Sequence, residues 1–407
     1  MERKFLIVSA GGLVLKVWGL PDPAGADPIV FLGDKGAGQA EFMVSWRNGT
    51  NLTLTALNQQ LHELKRFSCL GSVLKSSVGV SADGGITDVR VVDLDHDGRF
   101  ELLMLVGSGY SGKPRGLYCY DFGSAALLWQ HQTGPSLISL VVADLDGDGV
   151  EEVVVGSDAV GNRNRAPDET DDEHSYIFAF SNDGSLLWKL PMGALHTQTK
   201  PILSASKTAG RKELFAWVTG AHEFFAKDPR YEEVGRIVRL NDKGNVMAEY
   251  NPRVRLMSCE SADLDGDGQA EILATDRFGS LHRLDQELSL QRKVQAVPNK
   301  FGFVELTVAA VENVWGDAKP EIILSSMEQE IVSGMNPGFP ERELNVRFRH
   351  DVSVVVLDGA LNPIAKHTIA EKWEVNLGLT VKVARLGHGK APELIIFTDA
   401  VEILKFE

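Results

Sequence analysis

Asp263, Asp265, Asp267 and Glu271 fall within nine residues, D-L-D-G-D-G-Q-A-E, at the entrance to an apolar run. Carboxylates packed this closely repel one another in water, so the segment is either an acidic solvated turn or a cradle for a cation. The same pattern occurs twice more, as Asp93, Asp95, Asp97 and Glu101 and as Asp144, Asp146, Asp148 and Glu152. With the first aspartate as position 1, the carboxylates occupy positions 1, 3, 5 and 9, and the main-chain carbonyls of Arg99, Val150 and Gln269 at position 7 add a further oxygen. Several hard oxygens on a curved loop suit Ca²⁺, which takes six to eight such ligands at roughly 2.3–2.6 Å. Glycine at positions 4 and 6 (Gly147 and Gly149, Gly266 and Gly268) allows the curvature and any positive φ. In the first copy His96 stands at position 4, where its side chain is expected to face water rather than a metal. No His or Cys has the spacing of a zinc site. The flanks have strand character, which excludes the twelve-residue calcium loop set between two helices. Three Ca²⁺ ions are expected, one in each loop.

The elements that hold these loops can be read on either side of them. Val91–Val92 and Leu102–Val106 flank the first loop, and Leu140–Ala143 and Val153–Val155 the second. Degenerate copies keep only a glutamate before a similar run: Glu41 before FMVSW, Glu213 before LFAWV, Glu321 before IILSS and Glu393 before LIIFT. Asn313 and Asp317 retain part of the acidic set; the other degenerate copies retain almost none, so their glutamates are expected to accept hydrogen bonds within the hairpin. The seven glutamates recur at intervals of 50–72 residues, a unit that fits about four short strands with their loops. Further strands, Tyr176–Phe180 with Ser185–Lys189 and Arg236–Leu240 with Val246–Tyr250, are joined by S-N-D-G and N-D-K-G, which is hairpin chemistry. The fold expected is all-β, a seven-bladed β-propeller in one domain. Its approximate blades are 21–70, 86–133, 137–192, 200–252, 256–295, 303–372 and 378–407. The last is short of a strand, and strands within residues 1–20 (Phe5–Ser9 and Leu13–Trp18) are expected to close it and cover its edge.

Composition narrows the function. A formal net charge of −15 argues against a broad nucleic-acid footprint, so no nucleic-acid partner is expected. Cys69, Cys119 and Cys259 have no metal-like spacing and read as ordinary thiols rather than a disulfide framework. The first twenty residues are broken by Gly11, Gly12 and Lys16 and read as strands rather than a signal peptide. No stretch approaches the roughly 20 apolar residues of a membrane span, so direct membrane insertion is not expected.

The D-x-D-x-D-G-x-x-E pattern followed by an apolar run resembles the FG-GAP or VCBS repeat of integrin α-subunit propellers and many bacterial proteins. Three units resemble it closely and four in outline, across nearly the whole chain. The resemblance implies a seven-bladed propeller with calcium in the first hairpin of some blades, and a partner face commonly opposite the cation loops. Clear Phe-Gly and Gly-Ala-Pro elements are absent, so nothing of an integrin's membrane anchor or partner chain carries over. The working surface is expected on the excursions Gly107–Arg115, Ser157–Ser175, Gly220–Gly235 and Ser326–Asp351, because loops of this length are uncommon without a function. Ala166–Glu173, APDETDDE, is strongly acidic, and elsewhere on these loops aromatics lie beside arginines. That mixture suits recognition of a protein, peptide or glycan, with Phe225, Arg230, Tyr231 and Phe339 as the best single contacts. The expected function is a calcium-stabilised, non-enzymatic binding or scaffold module. The alternative is a polysaccharide lyase-like enzyme acting on acidic sugars, since rhamnogalacturonan-type lyases also resemble calcium-studded propellers; His174, His196 and His222 would then lie near the active face. Asp183–Trp188 resembles the blade-end pattern of quinone-dependent oxidoreductases, although an outer-strand tryptophan has a simpler packing role.

Overall fold

The computed structural model describes residues 4–8, 14–19, 29–32, 42–48, 51–58, 61–69, 75–76, 79–80, 85–107, 115–205, 212–220, 235–300, 302–315, 319–335, 343–373, 380–384, 393–397 and 401–405. These residues are all-β. The first sheet is Ile29–Leu32, Phe42–Asn48, Asn51–Leu57 and Glu63–Cys69; the second is Gly85–Val92, Glu101–Gly107, Gly116–Asp121 and Leu127–Gln132. The third set is Ser136–Ala143, Glu152–Asp158, Ser175–Phe180 and Leu186–Gly193, and the fourth is Gln198–Ala205, Lys212–Thr219, Gly235–Leu240 and Val246–Tyr250. These two sets share one eight-stranded sheet through a single residue pair, Asp158 with Gln198. The fifth sheet is Leu256–Ala262, Glu271–Asp276, Ser280–Leu284 and Leu290–Gln295. The sixth is Phe303–Glu312, Glu321–Met335, Glu343–Leu357 and Pro363–Trp373, and the seventh has three strands, Thr380–Ala384, Glu393–Phe397 and Val401–Lys405. The chain divides into two compact units. One comprises Met1–Leu203, Ala216–Glu232 and Leu240–Val246; the other comprises Ser204–Phe215, Glu233–Arg239 and Met247–Glu407.

Continuous apolar runs form the second strands Glu101–Gly107, Glu152–Asp158 and Glu271–Asp276, and both faces of each are buried. Leu102, Met104 and Val106 pack toward Met43, Leu54 and Phe67 of the first sheet, while Leu103 and Leu105 pack toward Leu140, Val153, Val155 and Phe178 of the third. Side chains alternate along a strand, so this run contributes to two core layers at once. In the second unit Leu273 and Leu281 meet Val304, Leu306, Ile322 and Leu324 in the same way. Outer strands read polar and stay exposed: every residue of Leu290–Gln295 except Val294 is on the surface.

Tryptophans on the outer strands fasten one set of strands to the turn of the next. Trp129 Nε1 donates to the carbonyl of Asn182 at 2.9 Å, and Trp188 Nε1 to that of Asp242 at 2.7 Å. Each ring lies against the glycine of the turn it reaches, Gly184 (φ +83°) or Gly244 (φ +76°). A Cβ there would stand 2.5 or 2.7 Å from the indole, so both backbone and space demand glycine. Trp188 therefore has a packing role.

Two expectations about strands differ from what is seen. Lys4–Val8 and Val14–Gly19 pair with each other in a separate two-stranded sheet, and the seventh sheet contains no fourth strand among the described residues. The excursion Ser326–Asp351 is mostly not a loop: Glu321–Met335 and Glu343–Leu357 continue as a β-ribbon, paired out to Met335 and Glu343. Main-chain polar groups on the facing edges of the two strands are satisfied by ladder bonds between them. Among the described residues no helix is long and apolar enough to cross a membrane.

Candidate metal centre

Each acidic loop joins the first and second strands of its sheet. The pairs Val92–Glu101, Ala143–Glu152 and Ala262–Glu271 close the three ladders, so position 9 is always the first residue of the second strand. The chain then curls around the position-1 aspartate, whose Oδ2 accepts the position-6 amide: Asp93 from Gly98 at 2.9 Å, Asp144 from Gly149 at 3.0 Å and Asp263 from Gly268 at 2.9 Å. The position-5 carboxylates Asp97, Asp148 and Asp267 accept the amides of Arg99, Val150 and Gln269 at 2.8, 2.8 and 2.7 Å. Position 6 has φ of +86°, +89° and +82° (Gly98, Gly149, Gly268). Position 4 has +59° at His96, +86° at Gly147 and +79° at Gly266. His96 takes the left-handed conformation without glycine's freedom; its exposed ring stands 3.6 Å from Glu151, outside the carboxylate cluster.

The position-9 glutamate has a constant structural duty. Glu101, Glu152 and Glu271 each use Oε2 to accept the position-2 amide, of Leu94, Leu145 and Leu264, at 3.0, 2.8 and 2.9 Å. Glu321 of the degenerate sixth-sheet hairpin does the same for Val314 at 2.8 Å, so this bond does not depend on the acidic set. Glu213, at the corresponding place in the fourth set, accepts from Arg239 Nε at 3.2 Å. Burial pushes the Glu101 and Glu152 carboxyls up, and the neighbouring aspartates add to the rise.

Carboxylate oxygens of Asp93, Asp95 and Glu101 come within 4.8 Å of one another, as do those of Asp144, Asp146 and Glu152, and of Asp263, Asp265 and Asp267. Oxygens bound to one Ca²⁺ at about 2.4 Å lie no more than twice that distance apart. The donors are all hard oxygens on short loops, so the residues fit Ca²⁺ better than a softer metal. Local cations differ among the hairpins. Arg99 folds onto Asp97, with Nε 2.7 Å from Oδ2, and holds that exposed carboxyl below its usual range. In the fifth sheet Arg283 reaches Asp265 and Glu271.

The expected partner contacts Phe225, Arg230, Tyr231 and Phe339 lie outside the described residues, as does His222. The acidic stretch 166–173 is described; its aspartates bond to protein partners, while Glu169 and Glu173 stay exposed. Asp172 is fully buried; it accepts the Asn162 and Asn164 amides at 3.1 and 2.9 Å and Asn164 Nδ2 at 2.6 Å, and lies 3.4 Å from Arg115 Nη1. Asp168 meets His131 at 3.2 Å, and Asp171 meets His174 at 2.9 Å. His196, with φ +61°, sits in a turn.

A second buried polar group went unread in the sequence. Asp276 ends the second strand of the fifth sheet; its Oδ1 accepts the Phe278 and Ser280 amides at 2.9 and 3.0 Å. Its Oδ2 meets His282 Nε2 and Lys293 Nζ, both at 2.9 Å, and His282 Nδ1 faces the Tyr250 hydroxyl at 2.8 Å. The signal was available: His282 lies inside the mostly buried strand S-L-H-R-L, where a polar ring requires partners. Burial alone would raise the Asp276 carboxyl, but bonds from His282, the Ser280 amide and Lys293 outweigh it and hold the group well below the usual carboxylate range. A depressed folded pKa contributes stability that is complete above the unfolded value, about 4, and is lost as pH falls toward the folded value. Asp276→Asn should therefore destabilise by about 3 kcal/mol at pH 7 and flatten the acid limb below about pH 4. Denaturant melts at pH 7 and pH 3 read both; an acid limb parallel to the parent's would contradict this role.

No protein-family model matches the chain, and a search of curated proteins finds no match either. Among solved structures the chain is similar to the Dos1 propeller, with 10% identity and a TM-score of 0.51 over 96% of this chain and 78% of that one, a likeness of fold alone. It also matches BBS1N, solved in complex with ARL6DN, with 11% identity and a TM-score of 0.46 over 94% and 96% of the two chains. A Bacillus licheniformis rhamnogalacturonan lyase matches with 12% identity and a TM-score of 0.43 over 92% and 89%.

Proposed function

We propose that this chain is a calcium-stabilised, non-enzymatic recognition module, a seven-bladed β-propeller of the FG-GAP or VCBS kind. The observation that carries this reading is the convergence of carboxylate oxygens in three hairpins of one design. Bound Ca²⁺ would supply positive charge: held by Asp93, Asp95, Asp97 and Glu101, by Asp144, Asp146, Asp148 and Glu152, and by Asp263, Asp265, Asp267 and Glu271, it relieves their repulsion and pins each loop. Three ions change the formal charge from −15 to about −9.

Recognition is assigned to the loops at the opposite ends of the strands, where a protein, peptide or glycan meets Phe225, Arg230, Tyr231 and Phe339. The test compares the calcium-loaded parent with the quadruple Ala variant in a pull-down and on a glycan array. The variant should keep its calcium and lose the partner. A variant that keeps every partner contradicts the face, and cleavage of an acidic polysaccharide to an unsaturated product replaces this reading with a lyase.

A further inference from the structure

The three hairpins are alike in backbone and differ in what faces them across the sheet. Two residues beyond the position-9 glutamate, on the same face of the strand, stand Leu103, Val154 and Leu273. Their partners on the third strand are Cys119, Ala179 and Arg283. Cys119 and Ala179 are fully buried and bring no charge to the loop. Arg283 instead lies diagonal to Glu271, within reach of its carboxylate. Its Nη2 contacts Glu271 Oε1 and lies 3.2 Å from Asp265 Oδ2, while Nη1 donates to the Gly359 carbonyl at 3.1 Å. The oxygen clusters reflect the difference. Those of the second and third sheets include the position-9 glutamate, Glu101 or Glu152, and omit Asp97 or Asp148, whereas the cluster of the fifth includes Asp267 and omits Glu271.

We infer that Arg283 is a built-in competitor for the metal of the fifth-sheet hairpin, so that this hairpin binds Ca²⁺ more weakly than the other two and fills last. The inference rests on the reading of the hairpins as calcium sites. A guanidinium already neutralises part of the charge a divalent ion would meet, and it occupies Oε1 of a glutamate whose Oε2 is engaged by Leu264. Filling the site requires Arg283 to release Glu271 and Asp265. Release is feasible, because the Nε–H of Arg283 is buried without an acceptor among the described residues and Arg283 borders a cavity of about 580 Å³ shared with Trp315, Lys319 and Asp358.

Calorimetric titration of the decalcified full chain with CaCl₂ tests this. The parent should show two tighter sites and one about tenfold weaker. Asp263→Asn should remove the weak step alone. Arg283→Ala, which places at this position the residue found at 179, should move the weak step into the tight class, and Arg283→Lys should leave it weak. Circular dichroism checks folding; if Arg283→Ala does not fold, assignment of the weak step by Asp263→Asn and Asp144→Asn still decides. Three equivalent sites in the parent, a weak step unchanged in folded Arg283→Ala, or a weak step removed by Asp144→Asn would overturn the inference while leaving calcium binding intact. Absence of binding to every variant would overturn both.

Discussion

Chelation of calcium is expected to lower the stability of this protein by about 8 kcal/mol when the free ion had stood roughly a hundredfold above its dissociation constants. Each site that binds only the folded chain contributes about 2.7 kcal/mol under those conditions, and three hairpins carry the acidic set. The sum is comparable with the whole stability of many proteins, about 5–15 kcal/mol. Without the ion each loop keeps its amide bonds to the position-1, position-5 and position-9 carboxylates, but it must hold four negative charges at close quarters. Asp265→Asn should remove one increment and leave the other two. Calorimetric melts in calcium and in chelator read the effect directly; superimposable melts would contradict it.

Asp172→Ala is expected to cost about 3–5 kcal/mol, the largest effect of any single substitution considered. The carboxylate is wholly buried, and Arg115, 3% exposed at its side chain, would be left as a buried charge without it. The amides of Asn162 and Asn164 would lose their acceptor in the same step, and an unpaired donor shielded from water adds its own penalty. Arg115 would retain the Gly134 carbonyl at 3.0 Å and the more distant charge of Asp158, which replace the lost carboxylate only in part. Urea denaturation of the variant at pH 7 measures the loss. A change below about 1 kcal/mol, the usual range of a surface pair, would mean that the segment around Asp172 opens to water.

The acidic hairpins were legible because their chemistry is local. Asp93 to Glu101 holds its own strand exit, its own turn glycine and all its carboxylates, so nine residues suffice to specify both backbone and charge. The apolar runs announced the buried second strands for the same reason, and Trp188 could be read as packing from its place on an outer strand. Length also misled: Ser326–Asp351 reads as one long excursion, whereas the strands on either side extend the sixth-sheet ribbon to Met335 and Glu343. Partnerships across the chain left no local trace. Asp172 reads as one more acid in APDETDDE until Arg115, 57 residues earlier, is brought against it. Arg283 reads as a surface residue until strand register places it beside Glu271.

Anomalous diffraction from crystals grown in millimolar CaCl₂ would show whether the three hairpins hold calcium. Three anomalous peaks are expected, each surrounded by oxygens at about 2.3–2.6 Å from positions 1, 3, 5 and 9 and the position-7 carbonyl of its loop. Ordered hairpins with water or a lysine ammonium among the carboxylates, and no anomalous signal at any of the three, would contradict calcium binding.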